Sequence, residues 1–187
     1  MGLYHGFSMG YSNTSTLSAE DSPNMTANQS YDLVLHSEVH TPLGLYFSVP
    51  VNLGAMPIHA SYSYVTDAGV LLTNYTPHTP LISGTVGIGL GYRAFSQEWF
   101  SPYAEAGYVG GFAGLNYKGS AVGGKHEDIV LITGTYVELG IGLGGPSWKV
   151  SVGVRQNEIH TRPFETLAGQ KFHLRSRGIF LGLSQLY

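Results

Sequence analysis

The 187-residue chain has no cysteine, and only 11% of its residues carry a formal charge. A chain without cysteine can pass through an oxidising compartment with no need of a disulfide. So few charges would make an odd soluble surface, because soluble domains carry about 25%. Long hydrophobic runs are missing as well: no stretch approaches 18 consecutive apolar residues, which excludes a transmembrane helix. The net charge of -3 offers no basic excess, so nucleic acid is not an expected partner. The opening Met1-Gly2-Leu3-Tyr4-His5 has no basic region followed by an apolar core. The expectation is a mature sequence whose signal peptide has been replaced by an initiator Met.

What the chain does have is 26 Gly and 13 Tyr, set in patterns of period two. In 129–143 the apolar or threonine positions are Ile129, Leu131, Thr133, Thr135, Val137, Leu139, Ile141 and Leu143, and between them stand Gly134, Tyr136, Glu138, Gly140 and Gly142. Alternation of this kind places one greasy face against one small or polar face. Soluble strands are about five or six residues long, whereas a tilted strand needs roughly 9 to 11 to cross a bilayer. The same pattern recurs as Leu3, Phe7, Met9, Tyr11; as Tyr31, Leu33, Leu35, Val39; as Ile82, Val86, Ile88, Leu90, Tyr92; as Trp148, Val150, Val152, Val154; and as Ile179, Leu181, Leu183. In each case the opposite face holds glycine, serine or ionisable residues, which suits a narrow barrel interior and not lipid.

Short connections alternate with long ones. Tight turns are expected at 41–44, 96–98 and 144–147, and polar loops at about 17–28, 66–79, 117–127 and 160–171. Eight strands joined in this way put both chain ends on the short-turn side, which in bacterial outer-membrane barrels is periplasmic. Phe95, Trp99, Phe100, Trp148 and Tyr187 fall near that side, where an aromatic girdle belongs. In the third strand the apolar set changes phase between Leu53 and Ile58, across Gly54 and Pro57. That suggests a bulge in one long strand. The alternative is a turn there, a further strand at 71–76 and ten strands in all.

The segment Phe100-Ser101-Pro102-Tyr103-Ala104-Glu105-Ala106-Gly107-Tyr108 and the C-terminal alternation ending in Tyr187 resemble the small eight-stranded outer-membrane proteins, the group that includes the outer-membrane protein A barrel. The resemblance implies one antiparallel up-and-down transmembrane β-barrel domain over residues 1–187. It also implies a monomer in the outer membrane of a Gram-negative cell envelope, inserted by the barrel-assembly machinery through the C-terminal strand. A second segment, Ser151 to His160, resembles the strand carrying the catalytic His of the outer-membrane lipid A deacylases. In that family a nucleophilic Ser stands two residues after the His; here the position holds Arg162. No catalytic residue is therefore assigned.

The inward set expected from the strand phases contains Asp32, His36, Glu38, His40, Arg93, Glu105, Glu138, Lys149 and Arg155. An isolated charge in a narrow barrel costs several kcal/mol, so Glu38, Glu105 and Glu138 are expected to pair with Arg93, Lys149 and Arg155. The lumen would then be plugged; a narrow path for small or hydrophobic solutes is the other possibility. His36 and His40 stand roughly 13 Å apart along a strand, too far to share a metal ion, and neither metal nor cofactor is expected. In the fourth long loop and its exit strand, Arg162, Lys171, Arg175 and Arg177 accompany the single acid Glu165. If that loop is external, these cations stand at the height of lipopolysaccharide phosphates and are candidate binders of lipid head groups. A soluble lipocalin-like barrel would instead place its apolar residues inside.

Overall fold

A computed structural model describes residues 2–12, 16–19, 25–26, 29–60, 62–65, 71–75, 79–95, 98–118, 125–145, 147–163 and 171–186. The alternating segments form eight long strands: β1 (Gly2–Ser12), β2 (Ser30–His40), β3 (Leu45–Ala60), β4 (Thr79–Arg93), β5 (Phe100–Lys118), β6 (Lys125–Leu143), β7 (Trp148–Thr161) and β8 (Phe172–Leu186). Each pairs antiparallel with its neighbours in sequence, and β1 pairs with β8, so the sheet closes. Two short segments of the first long connection extend the wall, Thr16–Ala19 against β8 and Met25–Thr26 against β3. Tyr62–Val65 and Leu71–Tyr75 make a separate ribbon off the barrel. The segment that would have supplied extra strands is thus a hairpin within a loop, and the wall has eight.

The bulge suggested by Gly54 and Pro57 does not occur. β3 stays in unbroken register with β4 from Val51 opposite Val86 to Ile58 opposite Thr79, and Met56 lies on the inner face, 3% exposed. The apolar set shifts because the lining changes: in the outer half of the barrel Met56, Leu81 and Ile132 point inward and are buried. A change in what the lumen holds therefore imitates a change of phase.

Hydrogen-bonded partners followed once round the barrel run from Gly2 through His40, Tyr46, Gly91, Glu105, Glu138, Arg155 and Gly178, and return to β1 at Ser12, ten residues beyond the start. Such a stagger tilts eight strands by about 40° and gives a backbone radius of roughly 8 Å. The outward side chains are large and apolar, for example Leu90 at 70%, Met9 at 63% and Leu181 at 60% exposed. This distribution is the inverse of a lipocalin's. Among the described residues no helix is long and apolar enough to cross a membrane; the apolar outer face of the strands is the surface suited to lipid. At the short turns Phe95, Trp99, Phe100 and Trp148 are all exposed, with the Trp99 and Phe100 rings 6.1 Å apart. Tyr187 lies outside the described residues. The 41–44 turn closes through the Gly44 amide donating to the Thr41 carbonyl at 3.1 Å, with Gly44 at φ 84°, a left-handed conformation that favours glycine.

The β6 wall tests the membrane level. Arginine at Leu139, close to mid-height, should lower folding stability in bilayers by about 2–4 kcal/mol, and at Ile129, beyond the outer edge of the band, by about 0–1 kcal/mol. Urea titration of both variants in lipid vesicles measures the difference; equal losses would contradict the assigned level.

Candidate functional site

All nine ionisable residues assigned to the interior from strand phase, Asp32 to Arg155, face the lumen, and none is exposed. On the side of the short turns Glu38 gathers three groups. His40 Nε2 stands 2.6 Å from Oε2, His36 Nε2 3.5 Å from Oε1 and Arg93 Nη2 3.6 Å from Oε2. Aromatic rings wall this cluster: His40 lies between Tyr4 and Tyr46, with centroids at 4.5 and 4.7 Å, and the Arg93 guanidinium lies 4.2 Å over the Tyr103 ring. The two histidines flank one carboxylate from opposite sides, so the His36-x-Glu38-x-His40 pattern serves that carboxylate.

One step further in, Glu138 accepts from Arg155 Nε at 2.7 Å, from Arg155 Nη2, and from the Tyr103 hydroxyl at 2.8 Å. Two of the expected pairings are absent. Glu105, directly opposite Glu138 across β5 and β6, is held by hydroxyls: Ser48 donates to it at 2.6 Å and Tyr136 donates to the same oxygen. Lys149 is 1% exposed and turns towards the short-turn end, where Nζ donates to the Glu98 carbonyl at 2.8 Å. Hydroxyls and a turn carbonyl thus do the work that strand phase alone assigned to counter-charges.

Glycine makes room for these inward rings. A Cβ on Gly140 would stand 2.7 Å from Cζ of Tyr103, and one on Gly91 would collide with the hydroxyl end of Tyr46, 2.1 Å from its Cζ. Each tyrosine lies over a bare stretch of neighbouring strand. Beyond the Glu138–Arg155 layer the lining becomes mixed, with Asp32, Met56, Leu81, Ile132, Ser176 and Asn157 around a narrow hollow that has room for only a few waters.

The outer wall of β7 and β8 carries a second group of polar residues, which sequence reading placed only in part. Val154 and Ile179 are cross-strand partners and end the apolar run; above them stand the pairs Gln156 with Arg177, Glu158 with Arg175, and His160 with His173. Ile179 is also the cross-strand partner of Tyr11 of β1, whose ring lies 5.4 Å from Tyr31. The polar ladder therefore starts close to the height of an outer aromatic pair, near the head-group level. Arg175 and Arg177 are exposed on this outward face, while Lys171 and Arg162 are exposed just beyond the strand ends. Glu165 lies outside the described residues. The acid that meets the cluster is Glu158, whose Oε1 accepts from Arg175 Nη2 at 3.1 Å and stands 2.9 Å from His173 Nε2. A sequence count along one loop misses it because it belongs to the facing strand. The deacylase resemblance gains no support here: Arg162 occupies the nucleophile's place, and Thr161 is buried on the opposite face from the exposed His160.

Replacing Glu138 by Gln leaves Arg155 buried without its acid and should lower stability by about 3–5 kcal/mol. The double variant Glu138→Gln/Arg155→Met removes both charges and should regain most of that loss. Urea unfolding from bilayers reads both values; additive losses would show that the two side chains are not coupled.

No protein family and no curated protein matches the chain. Among solved structures it is similar to that of Neisserial surface protein A, over 98% of this chain and 96% of that one, with a TM-score of 0.60 and 14% identity. It also aligns with Ail, the attachment invasion locus protein of Yersinia pestis, over 97% and 99% of the two chains, at TM-score 0.48 and 11% identity. A third match is the outer membrane protease OmpT from Escherichia coli, over 100% and 94%, at TM-score 0.47 and 11% identity. The likeness to the Neisserial protein spans both chains almost end to end: the fold is that of the small eight-stranded outer-membrane β-barrels, which suggests a bacterial outer-membrane location.

Proposed function

We propose that this is a monomeric integral protein of the bacterial outer membrane that works from its outer face. In this reading its N- and C-termini are periplasmic, its lumen is closed by its own side chains, and the rim of β7 and β8 holds lipopolysaccharide head groups. The barrel-assembly machinery inserts it through the C-terminal strand. The observation that carries the reading is the side of the wall on which the cations sit. Arg175 and Arg177 project outward directly above Ile179, where a lipid's phosphates lie, and not into the lumen or away from the bilayer. Arg162 and Lys171 add two exposed cations at the same end. Guanidinium groups bind phosphate oxygens through paired hydrogen bonds. Glu158 offsets part of the charge through Arg175.

The closed lumen is supported by the layers around Glu38 and Glu138, which fill a radius that has room for little besides side chains. Beyond them lie two small hollows, one bordered by Asp32 and the other by Asp32 and Arg155. Recognition of anything other than lipid would then fall to the long external connections.

Replacing Arg162, Lys171, Arg175 and Arg177 together by Gln should weaken binding of lipopolysaccharide by on the order of 1 kcal/mol per cation at low salt, with the difference shrinking as ionic strength rises. Co-sedimentation of the refolded barrel with lipopolysaccharide aggregates, against a neutral detergent reference, measures it. Binding that is unchanged by the substitutions or insensitive to salt would remove the lipid-binding role.

A further inference from the structure

We propose that Glu158, His160 and His173 form a binding site for a divalent transition-metal ion, with Zn2+ the best match, on the outward wall of β7 and β8. His160 and His173 are direct cross-strand partners whose rings stack with centroids 4.4 Å apart and planes 5° from parallel. Glu158 is two residues before His160 on the same face, with Oε1 2.9 Å from His173 Nε2. One ligand atom from each of the three lies within 4.8 Å of the other two. Ligands held at about 2 Å by a tetrahedral ion stand roughly 3.3 Å from one another. Closing the set takes only rotation about side-chain torsions, because the strand pairing fixes the three Cα positions beforehand.

The donor chemistry selects the ion. Two imidazole nitrogens and one carboxylate oxygen are a three-ligand zinc set, with the fourth position left to water. Calcium and magnesium require six or more oxygen donors and gain little from imidazole. Arg175 is the group that opposes binding, since its cation lies 3.1 Å from the Glu158 oxygen. A carboxylate has two oxygens, so the guanidinium can hold one while the ion takes the other, and an orienting partner of this kind tunes a metal ligand without displacing it. The position favours loading from outside. The site stands at the head-group level on a solvent-facing wall, beside a leaflet whose anionic phosphates concentrate cations. The site does not depend on the lipid-binding role of Arg162, Lys171 and Arg177, and the two can fail separately.

The test is calorimetric titration of the refolded full-length barrel in detergent with Zn2+ alone. One ion per barrel is expected. His160→Gln/His173→Gln should lower affinity by about 100-fold and Glu158→Gln by about 10-fold. His5→Gln, near the opposite end of the wall, should leave affinity unchanged, as should Arg162→Gln/Lys171→Gln/Arg177→Gln to within about twofold. The substituted positions lie on the outward face or just beyond the strand ends, and heat-modifiable electrophoretic mobility checks that each variant is folded. With Cu2+ as a spectroscopic probe, electron paramagnetic resonance should record nitrogen splitting from two imidazoles in the unaltered protein and lose it in the double histidine variant. Failure to bind Zn2+ at about 1 mM, far above the affinity of a built three-ligand site, would overturn the proposal. So would equal affinity in the unaltered protein and the double histidine variant.

Discussion

The constraint on which the rest depends is closure of eight strands with a ten-residue stagger. It fixes a backbone radius of roughly 8 Å, which leaves an interior about one side-chain layer deep from every direction. Inward residues cannot avoid one another, so each position must be small or must share its space. Tyr46 over Gly91 and Tyr103 over Gly140 are the steric form of that sharing. Glu38 with His36, His40 and Arg93, and Glu138 with Arg155 and Tyr103, are its electrostatic form. Buried charges add little net stability when they are paired, but leaving one unpaired is costly. The interior is accordingly a set of mutual obligations whose members cannot change one at a time.

The outer wall answers to a different solvent, and its two sides differ. On β6 the outward run from Leu143 reaches Ile129 with nothing more polar than threonine, whereas on β7 and β8 it ends at Val154 and Ile179 and gives way to charge and imidazole. The shorter run brings polar side chains down to the level of lipid head groups on one side, and the lipid-binding proposal rests on that asymmetry.

The fold was legible because strand alternation is a local property: each period-two segment could be read without knowing its neighbours, and the inward set from Asp32 to Arg155 follows from phase alone. Partners were less legible, because they depend on the stagger, which no single strand records. Glu105 lies opposite Glu138 and is served by Ser48 and Tyr136; Lys149 turns to a carbonyl at the end of the barrel. The same limit hid the ladder of Glu158, His160 and His173. Glu158 and His160 could be seen to share a face, but His173 joins them only through the β7–β8 register. At 54–57 a change in lumen lining looked like a slip of phase, since hydrophobic residues facing an apolar hollow and hydrophobic residues facing lipid are the same letters in a sequence.

Current through single barrels in planar bilayers tests most directly the central claim, that the interior is filled by its own interlocked side chains. The account predicts no stable conductance steps for the unaltered protein over a range of salt concentrations. Steady, ohmic steps whose size scales with salt would mean a continuous water-filled path past Glu38 and Glu138, and would contradict it.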